Sequence, residues 1–481
     1  MTDKLKKTMQ KLSDLWFLGV FVIFVYYTEE YYFNMLEAKA SIFGLCALCF
    51  CGLSALCGLG MLYELPVLDT VKKSLQRITG TDIAVILLGL SAVLSNLVTP
   101  YKEAAFYGSF GWKVGTLWAL GLLFVYLFAK GNIRGTKQLW QIVAISLGIQ
   151  FGWVLLNGFY VDVLEYHANL AAKDYPRYVG SIGNTNWYVG FLALTLPFFY
   201  MGSVIVEKKW ERIVLSCLLG LGIMSCFSVN CEGVYLFLPV LVGMGLWYGV
   251  EKEEWLSQIL WNHLVMALSV VVLVLLRMAF SATPVDGITA KVLTVPVSLG
   301  AFVICGVMLW AGCKGKTISV KQKKKIRIML MVIGGLLGIL LAYTQWIGFD
   351  DSWGTNRGKI WRIAVEAFGK MSMPQKIFGG GISCFGYYYE ALTGSDWVRN
   401  AHNELLEVLV TMGIMGLLSY LFLIFTVIKE KTKGDCLLVA GKIALLSYFA
   451  QALVNNPQGL NGAVFVTILA LCRRRSQDVV Q

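Results

Sequence analysis

Long apolar runs separated by short polar stretches recur along almost the whole chain. A helix needs about 20 apolar residues to cross the hydrocarbon of a membrane. Runs of that order predict spans over 15–33, 40–62, 82–99, 115–129, 139–159, 187–206, 213–229, 234–250, 256–280, 293–312, 327–345, 403–428, 436–454 and 459–472. The expected fold class is all-α: a polytopic membrane protein with about 12–14 transmembrane helices, forming a single integral membrane domain over 1–481. The first apolar run, Leu15 to Tyr27, follows a basic N-terminus and has no small-residue cleavage site after it. It reads as a retained span, not a cleaved signal peptide.

Two polar stretches are too long to be simple turns, 160–186 and 346–401. Long connections in a compact protein are usually functional. Lys and Arg cluster in alternate connections (Lys4/Lys6/Lys7/Lys11, Lys72/Lys73/Arg77, Lys130/Arg134/Lys137, Lys429/Lys431/Lys433, Arg473/Arg474/Arg475). The positive-inside rule then puts both termini in the cytoplasm and both long loops on the extracytoplasmic side, the second of them partly helical. That second loop nonetheless carries Arg357, Lys359, Arg362, Lys370, Lys376 and Arg399. Cations on that side are the exception, and they fit either an anionic partner or a long solvated loop that escapes the rule.

Composition narrows the class further. With 57% hydrophobic and 15% charged residues the chain is too apolar for a soluble protein of this length. The net charge of +12 is spread over short loops beside the membrane. It acts as a topology signal and calls for membrane lipid, not nucleic acid, as a partner. The twelve cysteines fall mostly inside spans or at their ends and suggest no disulfide framework. No spacing of ligand residues predicts a metal site, and a membrane haem would need paired axial ligands where only one histidine, His263, falls inside a span.

The other histidines are His167, in the first long loop, and His402. His402 opens the stretch from Ala401 to Tyr420, AHNELLEVLVTMGIMGLLSY, whose helix over 402–428 carries the motif. On a continuous α-helix Gly413 and Gly416 lie within about 40° of the His402 direction, a stripe along which another helix approaches closely. An imidazole at the water boundary is a candidate general base; the plainer reading is a histidine that caps the helix start together with Asn403. Upstream, Asn356 to Arg362 leads into an amphipathic helix, IWRIAVEAF, then Pro374 and the turn Phe378-Gly379-Gly380-Gly381. Ile360, Trp361, Ile363, Ala364 and Ala367 would face the membrane surface or the bundle. Arg357 at that helix start suits a phosphate, because a guanidinium forks two oxygens. A third piece, Arg177 to Asn186, adds Arg177 and two amides, Asn184 and Asn186, at the entrance to the span beginning at 187.

Taken together these pieces resemble the O-antigen ligase and O-antigen polymerase superfamily of bacterial membrane glycan transferases. Its ligases carry a His-Asn pair, nine residues, a glycine, two residues and another small residue, the spacing of His402, Asn403, Gly413 and Gly416. Arg357, Trp361, Gly379 and Gly381 are similar to the family's R-x-x-x-W segment and Gly-x-Gly turn. Arg177 with Gly183-Asn184-Thr185-Asn186 resembles its upstream segment, and Lys102 to Gly108 with Trp112 and Gly115 a fourth, to which no role is given. The resemblance implies a metal-independent, cofactor-free inverting transfer at the outer face of the bacterial cytoplasmic membrane, from a glycan on undecaprenyl pyrophosphate to an acceptor hydroxyl. In it His402 is the base and Arg177 and Arg357 hold the pyrophosphate, with Arg362 and Arg399 as lesser candidates. The acceptor, a glycan or a lipid-linked sugar, stays open: a polymerase would use a second lipid-linked glycan. A glycan transporter is the reading from another class, but it calls for internal repeats and ionisable groups near mid-membrane, and the sequence shows neither clearly.

Overall fold

The computed structural model describes residues 2–64, 76, 78–229, 231–280, 319–432 and 434–473. In chain order the helices are α1 (Thr2–Leu18, continued by a π-helical turn, Gly19–Ile23, to Tyr26), α2 (Met35–Glu64), α3 (Gly80–Val98), α4 (Lys102–Tyr107), α5 (Thr116–Ala129) and α6 (Lys137–Gly158). After a 3-10 turn, Ala172–Arg177, a two-residue hairpin pairs β1 (Tyr178–Val179) with β2 (Gly183–Asn184) in antiparallel register. Then come α7 (Thr185–Ile205), α8 (Lys209–Ser228), α9 (Val234–Glu251), α10 (Glu253–Ala279), α11 (Val320–Ile347), α12 (Trp353–Lys370), α13 (Met373–Phe378), α14 (Phe385–Thr393), α15 (Glu404–Lys429), α16 (Cys436–Ala452) and α17 (Gly459–Leu471).

Among the described residues nine helices are long and apolar enough to cross a membrane, and α5, α16 and α17 are shorter apolar helices. The chain is an all-α polytopic membrane protein, as the hydrophobic pattern predicts. The span expected over 293–312 lies outside the described residues. The first helix stops at Tyr26, short of 33, and Lys39 lies inside α2, where its ammonium donates to the carbonyls of Phe24 (2.8 Å), Val25 (2.9 Å) and Tyr27 (3.1 Å). A cation on the last carbonyls of a helix satisfies acceptors that have no partner within it.

The described chain divides into two compact units: 1–143 with 350–431 and 452–481, and 144–349 with 432–451. In the first, α3 runs antiparallel to α15, with Gly80 and Thr81 against Thr426 and Thr99 against the 380 turn. The Thr426 end is pinned by charge: Asp82 accepts from Tyr126 (2.7 Å) and Lys130 (2.9 Å), while Arg473 pairs with Glu430 (2.8 Å). Around α1, Trp16 packs edge-on to Phe24 and Phe43 and donates its indole N–H to Thr467 (2.9 Å).

The second unit holds a buried polar cluster between α7, α8 and α10. Tyr200 bonds His263 (2.8 Å), and the Asn262 amide donates to the Tyr200 carbonyl (2.8 Å) and to Ser203 (2.9 Å). Such bonds hold membrane helices together where apolar packing gives little preference. In the same unit His167 is a structural residue. Its ring stacks on Tyr175 at 3.9 Å, contacts Asp162 and meets the Tyr178 carbonyl at 2.8 Å, which ties the loop to the hairpin.

One glycine is decisive for the first unit. Gly413 interrupts α15 with φ 70° and ψ −170°, and a Cβ there would lie 2.4 Å from the Ile377 carbonyl oxygen. Gly413→Ala should therefore cost on the order of 3 kcal/mol or more, read as a lower melting temperature in detergent. Gly369→Ala, in open space on α12, should be neutral or stabilising by about 0.5–1 kcal/mol.

Candidate functional site

The break at Gly413 leaves carbonyls of the preceding turn without helical donors. The glycine turn after α13 supplies them: the Gly380 N–H donates to the Val410 carbonyl (2.8 Å) and the Gly381 N–H to that of Thr411 (3.0 Å). This is main chain against main chain, and a Cβ on Gly379 would lie 2.2 Å from the Thr411 oxygen. The Gly380 carbonyl in turn accepts from Thr99 at the end of α3 and from Tyr388 on α14 (3.0 Å). The spacing of Gly413 and Gly416 thus has a different meaning from the helical stripe expected of it. The helix does not run on through Gly413, and what approaches there is the 377–379 backbone. Gly416 leaves room for Met412 of its own chain.

His402 lies just before α15. The cap is Asn403 alone: its Oδ1 accepts from the Leu406 N–H (3.1 Å) and its amide donates to the Leu453 carbonyl (2.9 Å). His402 itself has φ 48°, a left-handed conformation that costs a non-glycine residue about 1–3 kcal/mol. Three local anchors offset it, at about 0.5–1.5 kcal/mol each: the Asn403 amide bond, Asn400 Oδ1 accepting the His402 N–H (3.2 Å), and Glu407 accepting the Ala401 N–H (2.7 Å). The imidazole takes no part in the capping. Its Nδ1 is buried and has no hydrogen-bond partner among the described residues.

Arg357, near the start of α12, acts on this imidazole through its charge. Gly354, Thr355 and Asn356 are all left-handed (φ 58°, 59° and 70°), and the regular helix resumes at Arg357. From there Ile360, Ile363 and Ala364 face inward, with Trp361 at the margin, and pack on Phe385, Tyr389, Val398, Ala401 and Val410. Ala367 is buried as well. The amphipathic face is thus turned to the bundle. Burying each isoleucine contributes roughly 1.5–3 kcal/mol, and it seats α12 on the residues that flank His402. Burial first, and then the Arg357 charge, push the His402 pKa down from 6.5 to about 4. Arg357 is half-buried and has no carboxylate partner among the described residues.

The other cations are placed differently. Arg362 is committed to Asp351 by two bonds (3.0 and 2.6 Å), and that pairing holds the Asp351 carboxyl below its usual range. Arg399 lies 3.7 Å over the ring of Phe110, which leans on Tyr387, itself stacked on Tyr101 at 4.5 Å. It too lacks a carboxylate partner among the described residues. Arg177 belongs to the second unit, where its side chain is 70% exposed and paired with Asp174 at 3.0 Å. Asn184 caps α7 by accepting from the Asn186 N–H (2.8 Å), and Asn186 accepts from Cys231 (3.1 Å). Trp361 meets Trp353 at 5.0 Å. Among the described residues no three His, Cys, Asp or Glu side chains are grouped to hold a metal ion.

Three contributors were given no role from the sequence. Asp351 neutralises Arg362. The 99–115 segment supports the site through Thr99, through Ser109, which bonds Ser383, and through Phe110. Glu407 holds the backbone at Ala401, and a carboxylate one turn inside the apolar part of a membrane helix was the available signal.

The chain matches no protein-family model and no curated protein.

The lowered pKa gives a test. The imidazole is neutral at pH 7 and becomes protonated only as the pH falls toward 4. Carbethoxylation of His402, followed by mass spectrometry, should keep an even rate constant from about pH 8 to about pH 5.5. In Arg357→Ala the fall should begin at higher pH, because one of the two causes is gone while burial remains. A wild-type midpoint near 6.5 would contradict this environment.

Proposed function

We propose that this protein is a membrane glycosyltransferase of O-antigen ligase type. Its place would be the bacterial cytoplasmic membrane, with both termini cytoplasmic and the His402 end of α15 at the outer face. The donor is a glycan on undecaprenyl pyrophosphate, and the acceptor is a hydroxyl of a glycan or lipid-linked sugar. What supports this is one juxtaposition: a neutral, strained histidine whose Nδ1 has no partner among the described residues, under the charge of an arginine that no carboxylate among them neutralises.

Neutral imidazole takes the proton of the acceptor hydroxyl. The hydroxyl oxygen attacks the anomeric carbon from the face opposite the carrier. The bond from that carbon to the pyrophosphate oxygen breaks, and its electron pair leaves with undecaprenyl pyrophosphate. Arg357 offsets the charge that develops there, and a planar guanidinium does so through two oxygens at once. Arg399, held over Phe110, is the second cation available to the anion. Arg362 is the weaker candidate because Asp351 already occupies its fork. A lowered pKa keeps the base unprotonated at neutral pH, at some cost in basicity.

In nanodiscs with a lipid-linked glycan donor, release of undecaprenyl pyrophosphate should fall by about 10²–10⁴-fold in His402→Ala and about 10²–10³-fold in Arg357→Ala. Both variants should keep the wild-type melting temperature within a few degrees. Arg357→Lys should restore little, and Arg362→Ala should retain most of the activity. For the wild type, kcat/KM should hold its value through about pH 5.5 and decline as the base is protonated toward pH 4. Full activity in both His402→Ala and Arg357→Ala would reject the site.

A further inference from the structure

Glu407 sits one turn into α15, 6% exposed, and no cation among the described residues pairs with it. A buried carboxyl without a counter-ion is costly, and a well-packed apolar side chain of similar size would be more favourable for stability alone. Its surroundings are Glu404 on its own helix, whose carboxyl accepts from Tyr420, and the buried Cys384 at the start of α14. Its carboxylate accepts a hydrogen bond from the Ala401 N–H, at 2.7 Å. Ala401 immediately precedes the left-handed His402, whose ring Nδ1 no described residue engages. The carboxyl therefore grips the main chain that carries the imidazole and not the imidazole itself. In an Asp- or Glu-oriented histidine the contact would be to the ring.

We propose that Glu407 is the positioning residue for His402, fixing the Asn400–Ala401 peptide, one residue ahead of it, so that the imidazole is held at the angle the transfer needs. This takes His402 as the base, as proposed above. The wider arrangement agrees with it. Ala401 also belongs to the buried apolar cluster that includes Ile360, Ile363 and Ala364 of α12, the helix that carries Arg357. A shift of the 400–402 backbone would thus change the distance between imidazole and guanidinium without touching either side chain.

Glu407→Gln keeps an acceptor oxygen for the Ala401 N–H; Glu407→Leu keeps the volume and removes the acceptor. Release of undecaprenyl pyrophosphate from an undecaprenyl-pyrophosphate-linked oligosaccharide, in membranes of the source cell lacking its own copy, reads both variants against His402→Ala. The expected result is a Gln variant within about threefold of wild type and a Leu variant reduced on the order of 100-fold in kcat. KM for the donor should stay within about twofold, because Arg357 and Arg399 are untouched. A Leu variant as active as the Gln variant, or one that loses KM and not kcat, would overturn the assignment. If Glu407→Leu does not accumulate, Glu407→Ala, whose void a water can enter, replaces it. Failure of both to fold would make Glu407 a structural residue and would equally overturn the assignment. An inactive His402→Ala beside an active Glu407→Leu rejects this inference alone, whereas an active His402→Ala rejects the transferase reading beneath it.

Discussion

Two main-chain hydrogen bonds hold the first unit's candidate site in place: those from the Gly380 and Gly381 N–H groups to the carbonyls of Val410 and Thr411. A helix that stops inside or at the edge of hydrocarbon leaves acceptors that water cannot reach, and such a break persists only where protein supplies donors. Here the donors come from a turn with no side chains in the way. The turn is fixed in its own right by Thr99 and Tyr388, so the end of α3, α13, α14 and α15 meet at one backbone junction. The segment from Cys384 to Asn403 is strung between that junction and the start of α15, and its position follows from both.

The candidate chemistry sits on this frame as a pair of opposed demands. A base must be neutral to accept a proton, and an anion site must be positive. Placing the guanidinium of Arg357 beside the imidazole of His402 meets both, because the same positive charge that would attract a phosphate disfavours protonation of the ring. The left-handed backbone at His402 and the left-handed run before Arg357 are the strained points, and each adjoins one of the two groups. Strain held by surrounding bonds at such positions is a common sign of a working site.

Much of the fold was legible because membrane spans are written in a single quantity, the length of an apolar run. The amphipathic face of α12 was legible for the same reason, although the sequence left open whether it met lipid or protein. Gly413 was not. A glycine at helical spacing reads equally well as a packing stripe and as a break, and only the donors of a distant turn decide between them. Nor was the fate of Arg362, since Asp351 reaches it through a left-handed reversal that no local pattern announces. His402 and Asn403 were seen as a pair, yet their roles separate: the amide caps the helix and the imidazole is left over. For Arg177, which the motif joined to them, the pattern did not show the pairing with Asp174.

Electron cryomicroscopy of the full chain in nanodiscs containing undecaprenyl pyrophosphate tests the central claim most directly. The expected density has a pyrophosphate oxygen within hydrogen-bond reach of the Arg357 guanidinium, and the His402 ring across an open space that a sugar could fill. A pyrophosphate bound away from Arg357, or a His402 ring engaged by another protein group in its place, would contradict it.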